Sequence, residues 1–180
     1  MVGQNNEAEF SGLVDQYKDV VFNTALSIVQ SHEDAEDITQ DVFMRVYQSN
    51  GFREESSFST WIYRVTINAS LDHEKKKKRV KRGSGLRSVH SLNDENEPKD
   101  FYHPGIASEN REKGVILFRA IAKLPGNQKI AFILQRIEGK AVREIAEITG
   151  NTITAVESLL NRAKQNLKKE LKTYYEQNIK

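Results

Sequence analysis

The sequence predicts an all-α protein: two small helical domains joined by a flexible linker, the second domain carrying a helix-turn-helix. Three observations lead there. Apolar residues recur at three- and four-residue spacing in several separate runs, and no stretch keeps the two-residue alternation of a strand. From Gly83 to about Ser108 that period is lost, and glycines, serines and two of the three prolines take over. Val142–Leu167 (VREIAEITGNTITAVESLLNRAKQNL) has the spacing of two helices crossed over a short turn.

The first helix follows from Phe10, Leu13, Val14, Tyr17, Val21, Ala25 and Ile28, which step by three and four. A second is expected from about Glu33 to Tyr47, with Ile38, Val42 and Val46 inward. Ser-rich Glu54–Ser59 supplies caps for a third, whose Ile62, Val65 and Ala69 face the same core. These elements make an N-terminal domain of residues 1–82, followed by a polar linker over residues 83–112. Periodicity returns at Val115 and opens a C-terminal domain, residues 113–180. Leu117, Ile121 and Leu124 mark one helix, stopped by Pro125-Gly126. Ile130, Ile133, Leu134 and Ile137 mark another, ended at Gly139, and the helix-turn-helix follows. Within it, Ile145 and Ala146 meet the demand for apolar and small side chains where helices cross. Gly150 stands at the turn, where a positive φ favours glycine. Ile153, Val156, Leu160, Ala163 and Leu167 are expected inward on the second helix, with Leu159 helping to seat it on the first.

A net charge of +2 conceals large opposite blocks. Residues 1–74 hold 13 acids against 4 bases, and 75–93 hold 8 bases and no acid. Residues 94–112 hold 6 acids against 2 bases, and 113–180 hold 13 bases against 6 acids. Such blocks suit different partners on different surfaces. The absence of cysteine excludes a disulfide framework and thiolate metal sites, and fits a cytoplasmic location. The opening MVGQNNEAEF has neither the basic flank nor the apolar run of a signal peptide, and no run approaches the length needed for membrane insertion.

Three constellations carry functional information. On the second helix Asp34, Asp37 and Asp41 sit at i, i+3 and i+7, a one-sided acidic face. It is either a solvated surface or a dock for a basic protein partner. The third helix and its entry carry Phe52, Phe58, Trp61 and Tyr63, then Arg64, Asn68 and Lys75–Arg79. Aromatics beside cations suit single-stranded nucleic acid, although Phe58 or Trp61 can equally serve the core. On the helix-turn-helix, Thr154, Glu157, Ser158, Asn161 and Arg162 are left outward to read base edges, with Lys164, Lys168 and Lys169 near phosphates. No enzyme reading survives. His32, His73, His90 and His103 are scattered, His73-Glu74 lacks the second histidine of a zinc helix, and no glycine loop cradles phosphate. No catalytic residue, cofactor or metal is expected.

Together these segments resemble the short sigma-70 family sigma factors of the extracytoplasmic-function group. Asp34–Gln48 (DAEDITQDVFMRVYQ) is similar to the family's polymerase-binding helix, and Ser57–Arg79 (SFSTWIYRVTINASLDHEKKKKR) to its promoter-melting segment. Leu124–Gly150 leading into Ala155–Leu171 resembles the domain that reads the upstream promoter element. The resemblance implies that Asp34, Asp37, Gln40, Asp41 and Phe43 bind core RNA polymerase. It implies minus-10 contacts from Phe52, Ser57, Phe58, Trp61, Arg64, Asn68, Lys75 and Lys76, with an unstacked base held by the Phe52–Ser59 loop. Minus-35 contacts are implied from Thr154, Glu157, Ser158, Asn161, Arg162 and Lys164. The acidic linker would thread toward the polymerase active-site channel, and a separate anti-sigma protein would restrain the chain, which lacks a long N-terminal extension. Glu157 and Leu159 stand where the family often has basic residues, and Asn151 where the turn is usually apolar. Two other readings use the same residues: a stand-alone helix-turn-helix regulator, and a single-strand-binding or adaptor protein.

Overall fold

A computed structural model of the protein describes residues 3–48, 57–83 and 111–178, and every regular element among them is an α-helix. In chain order these are α1 (Gly3–Val29), α2 (His32–Gln48), α3 (Phe58–Gly83), α4 (Arg111–Ala122), α5 (Gly126–Arg136), α6 (Val142–Thr149) and α7 (Ile153–Asn178). Most of the stretch read as a linker lies outside the described residues, and α4 has already begun at Arg111.

Helices α1, α2 and α3 pack on one another, while α7 is the spine against which α4, α5 and α6 lie. In the first group Val21, Ala25, Leu26 and Ile28 meet Ile38, Val42 and Val46 of α2 and Ile62, Ile67 and Ala69 of α3. Thr66 and Ser70 are fully buried in that group as well. Their hydroxyls donate to carbonyls one turn back, Thr66 to Ile62 and Ser70 to Thr66, each at 2.8 Å. Small side chains satisfied on their own helix can be buried without stranding a polar atom. In the second group Phe118, Ile121, Ile133, Leu134, Ile145, Val156 and Ala163 are all at or below 1% exposure, a continuous core beneath the helix-turn-helix.

Local chemistry sets the helix ends. Ser31 accepts the Asp34 N–H at 3.3 Å at the head of α2, and Ser57 accepts that of Thr60 at 3.1 Å at the head of α3. Gly139 (φ 66°) closes α5 as expected, and Gly150 (φ 69°) turns the chain from α6 toward α7. Two caps had not been anticipated. Thr152 accepts the Ala155 N–H at 3.2 Å before α7, and the Glu144 carboxylate accepts the Ala141 N–H at 2.8 Å before α6.

The two helical groups also touch. Helix α3 lies against α6, and α1 against α5.

Candidate nucleic-acid and protein interfaces

The short α6 and its αL glycine aim the first turns of α7 outward. Val156, Leu160, Ala163 and Leu167 are buried, so they hold α7 to the core. Ile153, expected among them, is 45% exposed. It is the first residue of α7, ahead of the covered stripe that starts at Val156. Thr154, Glu157, Ser158, Asn161, Arg162 and Lys164 are all exposed along one side, with Lys168 and Lys169 continuing it. Only Glu157 is acidic on that face, so the helix offers hydrogen-bonding groups flanked by cations, the composition that suits a DNA major groove.

On α3 the aromatics are tied to the core more closely than the sequence disclosed. Phe58 stacks edge-on against Tyr17 at 5.0 Å between ring centroids and lies 5.5 Å from Trp61. Both are half-buried and packed against the core. Ser57, Asn68, Lys75 and Lys76 are exposed, as expected of strand-contacting groups, with Lys75 also reaching Asp72 at 3.2 Å. Phe52 lies outside the described residues, as does the loop through residue 56.

Helix α2 divides the residues proposed for protein docking. Asp37, Gln40 and Asp41 are exposed, and next to them Met44 (57%) and Tyr47 (60%) are among the most exposed large apolar side chains. An apolar pair rimmed by carboxylates has the composition of a protein-binding patch. Sequence reasoning passed over Met44 and Tyr47, although they stand one and about two turns beyond Gln40 and Asp41. Phe43 does not belong to that patch: it is only 8% exposed. It falls in the inward arc with Ala35, Ile38, Val42 and Val46, so its role is packing.

Asp34 also departs from the expected face. It precedes Ile38 and Val42 by one and two turns, which points it inward and toward α3. Its carboxylate receives Lys77 Nζ at 2.6 Å and faces His73 Nε2 at 3.1 Å. Partial burial works to raise this carboxyl, but Lys77, His73 and the Ser31 hydroxyl together outweigh it and hold it below the usual carboxylate range. Asp34 is thus a clasp between α2 and the basic end of α3. Asp34→Lys or Lys77→Asp alone should lower the melting temperature by a few degrees, given that a charged hydrogen bond contributes about 1–2 kcal/mol. The double swap should recover most of it in thermal unfolding. A swap no better than the single variants would refute the clasp. The sign for pH follows from the lowered pKa: the clasp's contribution is complete above the ordinary carboxylate range and disappears as pH falls through the lowered value.

Between the two helical groups lies a polar seam invisible in the sequence. The Tyr63 hydroxyl, on α3, donates to Glu138 Oε2 at 3.0 Å, and Lys140 Nζ stands 4.7 Å from the Tyr63 ring centre. Burial pushes both groups up: the Tyr63 phenol, helped by nearby Glu138 and Glu144, and the Glu138 carboxyl, against Tyr63, Thr24 and Lys140. Tyr63 therefore stays a donor at any physiological pH. Lys129 of α5 is 4% exposed and meets Glu74 Oε1 at 2.6 Å and the Ile28 carbonyl at 3.4 Å. One signal was available for it: Lys129 precedes buried Phe132 and Ile133 by three and four residues, on the inward face of α5. Arg64, read as a strand contact, donates through Nε to the Ile148 carbonyl (3.2 Å) and through Nη2 to that of Glu147 (2.7 Å). Beside it a cavity of about 250 Å³ is lined by Asn68, Ile67 and Leu71 from α3 and by Ile148, Thr149 and Asn151 across from them.

Among the described residues no cluster of three or more His, Asp or Glu could hold a metal, and no helix is long and apolar enough to cross a membrane.

Comparison with known proteins matches this division of the chain. The family model for Sigma-70 region 2 matches residues 13–80, which run through α1, α2 and α3. That for Sigma-70, region 4 matches residues 115–167, from α4 into α7. The chain is 27% identical over 179 residues to the ECF RNA polymerase sigma factor SigW of Bacillus subtilis, covering 95% of this chain and 93% of the relative. It is 28% identical over 167 residues to the ECF RNA polymerase sigma-E factor of Escherichia coli K12, covering 91% and 87%. Among solved structures, the sigma factor RpoE in complex with the anti-sigma factor NepR from Bartonella quintana shares the fold. The TM-score is 0.68 at 22% identity, with 91% of this chain and 97% of that one covered. Two regions of one family, in order and on the two helical groups the structure displays, make this chain a member of the sigma-70 family, in its extracytoplasmic-function (ECF) group.

Proposed function

We propose that this sigma factor divides promoter-specific initiation among three surfaces. Asp37, Gln40 and Asp41, with Met44 and Tyr47 beside them, dock on core RNA polymerase. Thr154, Glu157, Ser158, Asn161, Arg162 and Lys164 meet the minus-35 duplex, and Ser57, Phe58, Trp61, Arg64, Asn68, Lys75 and Lys76 meet the minus-10 element. The observation that carries this reading is the separation of an exposed acidic-apolar patch on α2 from two polar, cation-bearing faces on α3 and α7.

Each surface has a physical task. A carboxylate-rimmed patch attracts a basic partner, and its apolar centre supplies the contact area. The outward side chains of α7 read base edges while lysines neutralise phosphates. Unstacking a minus-10 base costs a few kcal/mol, which a selective pocket returns only for the right base, so melting becomes sequence-dependent. Phe52 and its loop are proposed as one wall of that pocket. The chain performs no bond chemistry; phosphoryl transfer belongs to the polymerase, and the work takes place in the cytoplasm. A separate anti-sigma protein is proposed to restrain it, as the solved relative stands in complex with one.

The test is a titration of the full chain into bacterial core RNA polymerase, read by fluorescence anisotropy, followed by run-off transcription from candidate promoters. Saturable binding and promoter-dependent transcripts are expected. A folded monomer that binds duplex DNA but not polymerase would overturn the proposal and leave a stand-alone regulator.

A further inference from the structure

Helix α3 runs on past its core. Thr66, Ile67, Ala69 and Ser70 are still buried, but every residue from Lys75 to Val80 is exposed. Those last turns carry Lys75, Lys76, Lys77, Lys78 and Arg79 in succession, and cations three or four residues apart on a helix repel one another. With neither apolar cover nor opposite charge inside the run, the direction of this projecting end has to be fixed from outside. Nor do its cations share one side. At about 100° per residue, Lys75 and Arg79 continue the stripe of Arg64 and Asn68, whereas Lys77 falls on the opposite side, where it meets α2.

The outside support is Asp34. It stands in the first turn of α2, where the Ser31 hydroxyl accepts its N–H at 3.3 Å, so its backbone is held before its side chain acts. The two carboxylate oxygens take different partners: Oδ2 receives Lys77 Nζ at 2.6 Å, and Oδ1 faces His73 Nε2 at 3.1 Å. His73 and Lys77 are one turn apart on α3, so a single carboxylate holds two points along that helix. It thereby sets both the rotation of the projecting end and its distance from α2. The Asp34 side chain is 16% exposed against 45% for Lys77, and releasing Lys77 to a phosphate would leave an enclosed carboxylate short of its counter-ion. A hydrogen bond between charged groups corresponds to about tenfold or more in equilibrium. One more phosphate contact on a single strand at about 0.15 M salt corresponds to about fourfold. Lys77 therefore stays with Asp34.

We propose that Asp34 is a positioning residue for strand recognition: by holding His73 and Lys77 it turns the Asn68–Lys75 side of α3 toward the minus-10 strand and takes Lys77 out of the set of phosphate contacts. The proposal rests on the functional reading above. It divides a run of five like cations, uniform in sequence, into a tether and a strand-facing set. Phosphate contacts fix the register in which bases meet the groups that read them. With the tether loosened, Lys75 and Lys76 still bind phosphates but no longer at a fixed distance from Asn68, so discrimination falls before affinity does.

The test reads sequence preference and salt dependence together, in holoenzyme assembled from core RNA polymerase and the full chain. Its probes are the labelled non-template strand of a promoter that supports run-off transcription and a scrambled copy of that strand. Lys76→Gln should weaken both about fourfold and reduce the slope of log affinity against log salt by about 0.7, as a lost phosphate contact does. Lys77→Gln and Asp34→Asn should leave the slope unchanged and lower the preference for the promoter strand over the scrambled one by about threefold or more. Asp34→Glu, which keeps the charge, should recover most of that preference. A pair that only stabilised the fold would move the melting temperature and not this ratio. In the free chain, limited acetylation read by mass spectrometry should modify Lys77 more slowly than Lys76, because its amine is engaged, and Asp34→Asn should remove the difference. A slope reduced by about 0.7 on both strands in Lys77→Gln would make Lys77 a phosphate contact and overturn the proposal. Equal acetylation of Lys76 and Lys77, or an unchanged preference in Asp34→Asn that is folded by circular dichroism, would overturn it as well. A wild-type chain that does not assemble with polymerase would instead sink the sigma-factor reading and the strand-positioning role with it, while the acetylation rates still decide the tether.

Discussion

Asp37→Arg combined with Asp41→Arg is expected to abolish transcription by cutting the affinity for core RNA polymerase about 30- to 1000-fold. The change reverses two charges at the rim of the α2 patch. Placing like charges against a basic partner costs several kcal/mol, and every 1.4 kcal/mol or so is tenfold. Folding should be untouched, because both residues are exposed and the buried stripe of Ala35, Ile38, Val42 and Val46 is unchanged. Within α2 the arginine introduced at the first site would lie one turn from Glu33, and the second arginine one turn from the first. Attraction and repulsion then oppose each other, so helix stability changes by only tenths of a kcal/mol. Anisotropy titrations with polymerase, beside circular dichroism, separate the effects. Unchanged affinity in a folded variant would remove α2 from the docking surface. Met44→Ala with Tyr47→Ala then asks how much the apolar centre contributes.

Arg162→Ala, or Asn161→Ala, should weaken recognition of the minus-35 element by about 1–3 kcal/mol if each touches a base edge. These residues lie on the face of α7 opposite Val156, Leu160 and Ala163, so truncation leaves the core intact. A base contact and a phosphate contact leave different signatures. Arg162→Ala should relax the preference at one base pair, whereas Lys164→Ala should weaken all sequences alike and reduce the salt slope by about one. Promoter competition with the polymerase-bound protein, at two salt concentrations, reads both. Equal losses on every sequence for Arg162→Ala would reassign it to the backbone. Glu157, the acid on this face, is suited to accept from a cytosine amine and directs the choice of base pairs to vary first.

The helices, their order and the turn at Gly150 were legible along the chain because they depend on neighbours three or four residues away. An apolar period, a serine before a helix and a glycine at a positive φ each act within a turn or two, so a linear reading captures them. The outward faces of α2 and α7 follow from the same geometry, which is why Asp37, Asp41, Asn161 and Arg162 stand where they were expected. Near the edge of a stripe the same reading loses precision. Phe43 turned inward and Ile153 outward, because the width of the covered arc and the point where cover begins depend on which helix lies alongside. Which residues pair far apart in the chain leaves no periodic trace, even where, as at Lys129, the spacing marks a side chain as inward. Asp34 meets Lys77 across 43 residues, Lys129 meets Glu74 across 55, Tyr63 meets Glu138 across 75, and Arg64 meets the carbonyls of α6 across 83 and 84. A charged side chain on a helix surface reads the same whether it faces water, DNA or another helix. Only the packing of the two halves distinguishes these outcomes, by removing the water that would otherwise solvate it.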